Sequence, residues 1–139
     1  MKFEDVIRLR TATRKFDHTL VEKRKIEKIL EAGRLAPTAK NLQPQKIFVV
    51  SSEEGLIQID KASPCRYNAP LVLMICSDKS RCFQKNGYST YEMDAVIVAT
   101  HMMLEATNLG VDNVWVEMFD KSILKKEFIL KEDLEPICL

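Results

Sequence analysis

Three basic side chains lie close together near the start of the chain, in the stretch RTATRKF at residues 10–16. The stretch has no helical periodicity, so we expect it to be extended, with side chains two or four positions apart on the same side. Arg10 and Arg14 could therefore hold one anion between them, because guanidinium groups match the geometry of phosphate and carboxylate. Composition alone favours the simpler alternative, a basic turn on the surface.

The second stretch that could do chemistry is the polar loop PTAKNLQP at residues 37–44. Thr38, Asn41 and Gln43 offer hydroxyl and amide groups that can recognise a polar heterocycle. The two prolines of the loop would keep it rigid. Taken by itself, the loop is better explained by polar side chains that cap their own backbone.

The third stretch is VWVEMFD at residues 114–120, which predicts a strand that ends in an acidic, aromatic turn. Its simpler explanation is a core strand followed by a helix that has its N-cap at Asp120 or Ser122. None of the three stretches is specific by itself, so their meaning depends on the elements that position them.

The rest of the sequence predicts these elements. Gly33 and then Pro37 indicate the end of the second helix, and Gly110 is suited to close the fourth. Residues 77–90 form the longest irregular stretch. Strands and helices do not alternate strictly, which favours an α+β fold around a central sheet. The predicted helices cover residues 3–9, 22–35, 53–59, 91–108 and 122–129, and the predicted strands cover 47–50, 71–76, 114–116 and 136–139.

The predicted helix at residues 91–108 is apolar around almost its whole circumference. Such a helix must be covered on all sides, and a chain of 139 residues can hardly supply that cover by itself. We therefore expect this helix to contribute to the interface of a dimer.

Composition excludes several classes of protein. With 46% apolar and 29% charged residues, the chain fits one globular domain rather than a disordered or disulfide-stapled protein. A net charge of +1 predicts no strong attraction to nucleic acid or to an anionic membrane. No window is long and apolar enough for a membrane span, and the acidic N-terminus does not fit a signal peptide, so we expect a cytoplasmic protein.

The sequence offers little material for a metal site. The four cysteines form no C-x-x-C pair and there are only two histidines, which argues against a zinc or iron–sulfur centre. Free thiols are expected at Cys65, Cys76, Cys82 and Cys138. The motifs of Rossmann dinucleotide sites, Walker A loops and serine hydrolases are also missing.

The three stretches, in this order and with these helices between them, resemble the signature motifs of the nitroreductase family of FMN-dependent oxidoreductases. RTATRKF resembles the pattern R-[RHT]-S-x-[RK]-x-F, and residues 36–44 resemble [AS]-P-[ST]-x-x-N-x-Q-P-W up to its last position. LGVDNVWVEMFD at residues 109–120 is similar to L-G-x-x-x-x-W-[VI]-x-x-F-D. The resemblance spans nearly the whole chain.

The chain also departs from the family pattern. Gln45 replaces a tryptophan that packs the loop, Ala12 replaces a serine of the first motif, and Met118 stands where many members have glycine. Family members normally continue beyond the strand at residues 136–139. We therefore expect that residues 1–139 lack the C-terminal segment that wraps the partner chain.

The resemblance implies a three-layer α+β fold with a central mixed, mostly antiparallel sheet flanked by helices. Residues 1–139 would form a single flavin-binding domain, and two chains would form a homodimer with FMN bound at the interface. The implied FMN-binding residues are Arg10, Thr11, Ala12, Arg14, Pro37, Thr38, Asn41, Gln43, Trp115, Val116 and Glu117.

Within this set, the resemblance implies a role for each stretch. The two arginines would hold the phosphate and the ribityl or pyrimidine end of the flavin. The polar loop would reach the flavin from the partner chain, while Trp115 and Val116 would line the ring. The backbone N–H of Glu117 would lie near flavin N5, the atom that accepts and gives hydride.

The implied activity is hydride transfer from NAD(P)H through flavin N5 to an electron-poor acceptor, such as a nitroaromatic or a quinone, in two successive ping-pong steps. The chain would then be an NAD(P)H-dependent enzyme of the nitroreductase type. The alternative is a non-catalytic homodimer of the same fold that binds flavin or another small ligand. Flavin retention together with turnover would distinguish the two.

Overall fold

The helices and strands of the chain follow the predicted order closely. The structure is a computed structural model that describes residues 1–139. The helices are α1 Phe3–Leu9, α2 Lys23–Leu35, α3 Glu53–Ala62, α4 Tyr91–Asn108 and α5 Lys121–Glu127. The strands are β1 Gln45–Val50, β2 Val72–Asp78, β3 Gln84–Lys85, β4 Tyr88–Ser89 and β5 Leu134–Cys138.

The main sheet has three strands in the order β1–β2–β5, and both strand pairs are antiparallel. Val50 at the end of β1 lies opposite Val72 at the start of β2. Side chains alternate between the two faces of a strand, so Ile75 and Met74 of β2 belong to different buried clusters. The central strand therefore connects two separate hydrophobic cores.

Helices cover both faces of this sheet. On one face, α2 and α4 bury Ile29 and Val98 in the same cluster as Ile75. On the other face, α3 and α5 bury Ile59 and Leu124 in a cluster with β2. Burial of apolar surface on both sides is what a three-layer arrangement requires. The predicted three-layer α+β architecture is confirmed.

Helix α4 packs closely against α2 in the middle of the fold. Gly33 is buried at this contact, and a Cβ atom there would lie 2.7 Å from the Sδ atom of Met102. The prediction that Gly33 helps to end α2 is wrong, because the helix continues to Leu35 before Pro37 stops it. The glycine instead allows the two helices to approach each other.

The C-terminus of α4 is closed by Gly110, as predicted. Gly110 has a φ of +69° and its N–H donates to Thr107 O at 3.0 Å. The next N–H, that of Val111, donates to Ala106 O at 2.9 Å. This pair of bonds is a Schellman motif, which satisfies carbonyl groups that the helix end would otherwise leave unpaired.

The predicted strand at residues 114–116 is wrong. Only Val116 forms a strand-like pair, with Leu139, through two main-chain bonds of 2.9 and 3.0 Å. Asn113 pairs with Ala12 instead. Residues of this short segment therefore pair with two different parts of the chain, so no regular strand ladder forms.

Residues 77–90 are less irregular than predicted. Strand β2 extends to Asp78, and β3 and β4 form a short hairpin. Its turn contains Asn86 and Gly87, with φ values of +51° and +79°. Asn-Gly is the preferred pair for a turn in which both central residues have positive φ. The sequence therefore carried a hairpin signal that our prediction missed.

Part of the apolar surface of α1 and α4 remains exposed. Phe3 and Ile7 of α1 are 66% and 53% exposed, and Met93 of α4 is 53% exposed. An apolar helix surface can also mark a membrane span, but no helix of this chain combines the length and apolarity needed to cross a bilayer. These side chains are candidates for the predicted dimer interface, which stays a prediction.

The burial of the cysteines predicts their reactivity. Burial raises the pKa of the Cys76 and Cys138 thiols to about 12, and Cys82 is also buried, whereas Cys65 is partly exposed. Because the thiolate is the reactive form, we expect one thiol to react rapidly with a chromogenic thiol reagent at neutral pH. The other three should react only on unfolding. The Cys65→Ser variant should lose the rapid phase, and a rapid thiol that persists in it would contradict this packing.

Candidate functional site

The basic segment at residues 10–16 is extended, as predicted, and lies beside Asn113. Ala12 forms a bridge with Asn113, which is the only parallel pairing in the fold. The N–H of Thr13 donates to Asn113 O at 3.1 Å. Main-chain bonds therefore fix the segment without using its basic side chains.

Asn113 in turn fixes this segment to the C-terminal end of α4. Its Nδ2 atom donates to Thr107 Oγ1 at 3.1 Å and to Val111 O at 3.0 Å. The sequence analysis did not select Asn113, because no spacing marks an asparagine that pairs with the distant N-terminal segment. The basic segment is thus placed at one defined end of the central helix.

The two arginines predicted to bind an anion have no carboxylate partner in the chain. Every ion pair within 4.0 Å involves other basic residues. Arg14 is exposed and Arg10 partly exposed. Interaction with the Cys65 thiol raises the pKa of the Tyr67 hydroxyl, and the Arg14 guanidinium opposes that shift. Uncompensated guanidinium groups on a fixed segment are suited to an external anion.

The turn at Glu117 presents two backbone donors without a partner, the N–H groups of Glu117 and Met118. Val116 exchanges both of its main-chain bonds with the residue that follows β5, and Met118 O accepts a bond of 2.7 Å from Ser63 Oγ. Between them, the N–H of Glu117 donates to no group of the chain. Its neighbours hold the peptide in place, so this N–H is available to a ligand.

Ser63, the residue directly after α3, holds this turn in place by hydrogen bonding. Its buried hydroxyl donates to Met118 O and accepts from the N–H of Cys65 at 3.1 Å. Beside it, the N–H of Asp120 donates to Ala62 O at 2.9 Å. Sequence reasoning missed Ser63, because its partner Met118 lies 55 positions away. The end of α3 is therefore part of the site.

The side chains of Trp115 and Glu117 contact each other. Trp115 Nε1 donates to Glu117 Oε1 at 3.0 Å. Val116, between them, is only 8% exposed. Any contact of Val116 with a ligand would therefore use mainly its backbone, while Trp115 offers a ring surface.

The predicted polar loop lies at the N-terminal end of α4. The N–H of Ala39 donates to Asp94 Oδ1 at 2.9 Å. Within the loop, the N–H of Gln43 donates to Thr38 Oγ1 at 3.0 Å, so one polar side chain does cap the local backbone. The exposed side chains of Asn41 and Gln43 have no hydrogen-bond partner in the chain. Both amides are therefore accessible from outside the chain.

One chain brings together only two of the three predicted stretches. Thr107, which holds Asn113, lies 13 positions after Asp94 on α4. At 1.5 Å per residue, about 20 Å separates these two positions. The basic segment and the turn at Glu117 therefore lie at one end of α4, and the polar loop lies at the other. Within one chain, α4 thus separates the anchor of the polar loop from the anchor of the basic segment.

An apolar cavity of about 160 Å³ lies behind the basic segment. Phe16, Met102, Val111 and Trp115 are among the residues that line it. Most of the lining is apolar and provides packing space, whereas Arg66, Asp112 and Asn113 are its polar members.

The unpaired polar groups share one chemistry, that of hydrogen-bond donors. They are the guanidinium groups of Arg10 and Arg14, the N–H of Glu117 and the amides of Asn41 and Gln43. Thr11 in the basic segment and Pro37 in the polar loop are also exposed. No three His, Cys, Asp or Glu side chains lie close enough to hold a metal ion. This donor set suits a ligand that carries a phosphate and ring acceptors.

The chain matches a known family over almost its whole length. The family described as the Nitroreductase family matches residues 7–66 and 60–139. A solved structure of a nitroreductase family protein from Clostridium difficile 630 has the same fold, with a TM-score of 0.96 and 39% sequence identity. That match covers 99% of this chain and 81% of the other.

Two further relatives carry functional names. A protein of Archaeoglobus fulgidus, described as a candidate NADH dehydrogenase/NAD(P)H nitroreductase, is 29% identical over 119 residues. The match covers 84% of this chain and 67% of that protein, so this chain spans about two thirds of its length. An FMN-dependent nitroreductase from Clostridium difficile R20291 has a TM-score of 0.83 and 27% identity, covering 96% of this chain and 82% of the other.

The three signature stretches, the three-layer fold and the matched residues agree with one another. The names of the relatives support the predicted class, an oxidoreductase of the nitroreductase type. The chain belongs to the nitroreductase family.

Proposed function

We propose that the chain is an FMN-dependent oxidoreductase that takes hydride from NAD(P)H and works as a homodimer. The observation that carries the proposal is the unpaired N–H of Glu117, held at a fixed turn near the segment of Arg10 and Arg14. FMN has a ring nitrogen that can accept such a bond and a phosphate that can pair with guanidinium groups. The FMN-dependent relative supports this assignment.

The residues of the chain fit the groups of FMN. Arg10 and Arg14 would hold the phosphate and the ribityl or pyrimidine end, and Trp115 would lie along the ring. The N–H of Glu117 would donate to N5. This arrangement needs no acid–base role of the Glu117 carboxylate, whose Oε1 accepts a bond from the Trp115 indole.

When bound, FMN supplies hydride transfer at N5, from NAD(P)H and then to an electron-poor acceptor such as a nitroaromatic or a quinone. The role of the protein is to orient the ring and to set the electrostatics around it. An arginine near the N1–C2=O edge would favour negative charge there. A backbone N–H keeps its proton at every working pH, so that of Glu117 would be available as a donor to N5 of the oxidised ring.

The division of the candidate site along α4 supports the homodimer. Each site would take the basic segment and the turn at Glu117 from one chain and the polar loop from the other. The exposed apolar side chains of Phe3, Ile7 and Met93 would be covered when the two chains associate. Covering such surface is favourable, because it removes apolar area from water.

A second candidate function is binding without catalysis, in a homodimer that holds flavin or another small ligand. Gln45 favours it, because this residue replaces the tryptophan of the family and its Oε1 atom is buried without a hydrogen-bond partner. The absorption spectrum separates the two functions. Bound flavin that bleaches with NAD(P)H and recovers with an acceptor supports the enzyme, whereas flavin that stays oxidised supports the binding role.

The arginines provide the first test of the proposal. Changing Arg10 and Arg14 together to alanine removes two charge-assisted contacts, so we expect FMN affinity to fall by about 2–4 kcal/mol, measured by flavin fluorescence quenching. The matched control is the double change Arg24→Ala and Lys28→Ala, which removes the same charge from the exposed surface of α2. Equal affinity in the arginine variant and its parent would return the basic segment to the simpler explanation, a surface turn.

Dimers of two different variants test whether the loop serves the partner's site. One chain carries the double arginine change and the other carries Asn41→Ala with Gln43→Ala. If each site combines the arginines of one chain with the loop of the other, one site of this dimer contains no change. We therefore expect one tightly bound FMN per dimer, although each variant alone binds weakly. Without any recovery, the loop and the arginines must act within the same chain.

A further inference from the structure

Asp94 is the one charged side chain that is buried in this chain, with 2% of its surface exposed. It is the fourth residue of α4, at the end of the helix where the polar loop lies. Burial of a carboxylate is costly unless its oxygens are paired. The hydrogen-bond partners of Asp94 therefore indicate which parts of the fold it holds together.

Each carboxylate oxygen of Asp94 has its own partner. Oδ1 accepts from the N–H of Ala39 at 2.9 Å, and Oδ2 accepts from Thr90 Oγ1 at 2.8 Å. The Thr90 bond stays within the start of α4. The Ala39 bond, in contrast, crosses 55 positions of sequence and reaches the polar loop. Asp94 thus joins the loop to the central helix.

The bond to Ala39 is the only hydrogen bond that joins residues 38–43 to another part of the chain. The loop itself is strained, because Lys40, Asn41 and Gln43 all have φ near +50° and none of them is glycine. Such backbone persists only where its surroundings enforce it. Loss of the Asp94 bond would allow these residues to relax toward commoner conformations.

We propose that Asp94 is a positioning residue, which holds the loop in the conformation that presents Asn41 and Gln43 to the flavin of the partner chain. This inference rests on the proposed function. Asp94 does not contact the ligand in this arrangement, and it acts through the backbone at Ala39. A merely structural role at the start of α4 would affect stability without affecting the loop.

Three variants separate these roles. Asp94→Ala removes the bond to Ala39. Asp94→Asn keeps an Oδ1 acceptor for the Ala39 N–H, and Thr90 can rotate its hydroxyl to accept from the new amide. Thr90→Val leaves the Asp94–Ala39 bond in place and removes the bonds of the Thr90 hydroxyl to Asp94 and to Phe83 O, so it is the matched control for a general loss of stability.

The measurements are FMN affinity and amide hydrogen exchange at residues 39–43 of the flavin-free protein. For Asp94→Ala we expect affinity to fall about 10- to 100-fold, the effect of losing one hydrogen bond to a charged group, and exchange in the loop to accelerate. Asp94→Asn and Thr90→Val should stay close to the parent in both. Unchanged affinity and exchange in Asp94→Ala would overturn the inference.

Two features keep the test decisive. If Asp94→Ala does not fold, Ala39→Pro removes the same bond from the loop side, at the first position of a 3₁₀ turn. Unchanged affinity in that variant would overturn the inference equally. A parent chain that binds no FMN would overturn the proposed function instead, while the exchange measurement would still test the anchor.

Discussion

The length of α4 is the constraint on which the candidate site depends. The helix lies between the sheet and α2, where Gly33 allows a close approach to Met102. Because it is buried along its middle, its two ends are fixed relative to each other. One end holds the basic segment through Asn113, and the other holds the polar loop through Asp94. The rigid helix α4 thus keeps the predicted recognition groups at its two ends apart within one chain.

The backbone of the signature stretches, more than their side chains, makes the contacts that hold them in place. Ala12 and Thr13 are held by the backbone of Asn113, and Met118 is held through its carbonyl oxygen by Ser63. These contacts do not depend on the side chains of the residues that are held, so those residues can vary without moving the backbone. This explains how the serine-to-alanine departure at Ala12 is compatible with the family fold. Two of the supporting residues, Ser63 and Asp94, lie outside the motifs.

The sequence predicted the long elements and selected polar groups that are exposed in the structure, but it did not reveal the residues that support them. The bounds of α4 and the N-cap at Asp120 follow from local signals, namely a long apolar run closed by Gly110 and capping chemistry. Asp94 and Ser63 act on partners 55 positions away, which no local pattern reveals. The strand predicted at residues 114–116 failed for the same reason, since its pairing depends on which distant segments lie beside it.

The separation of the two half-sites along α4 has a consequence for the amount of protein present. In the proposed homodimer, neither chain alone offers a complete site, so dissociation of the chains releases the ligand. Flavin bound only by the dimer would in turn hold the chains together by mass action. Dilution would therefore dissociate the dimer, and the protein would lose its bound flavin even in the presence of some free flavin. The abundance of the chain, and not only the supply of cofactor, would decide how much of it is loaded.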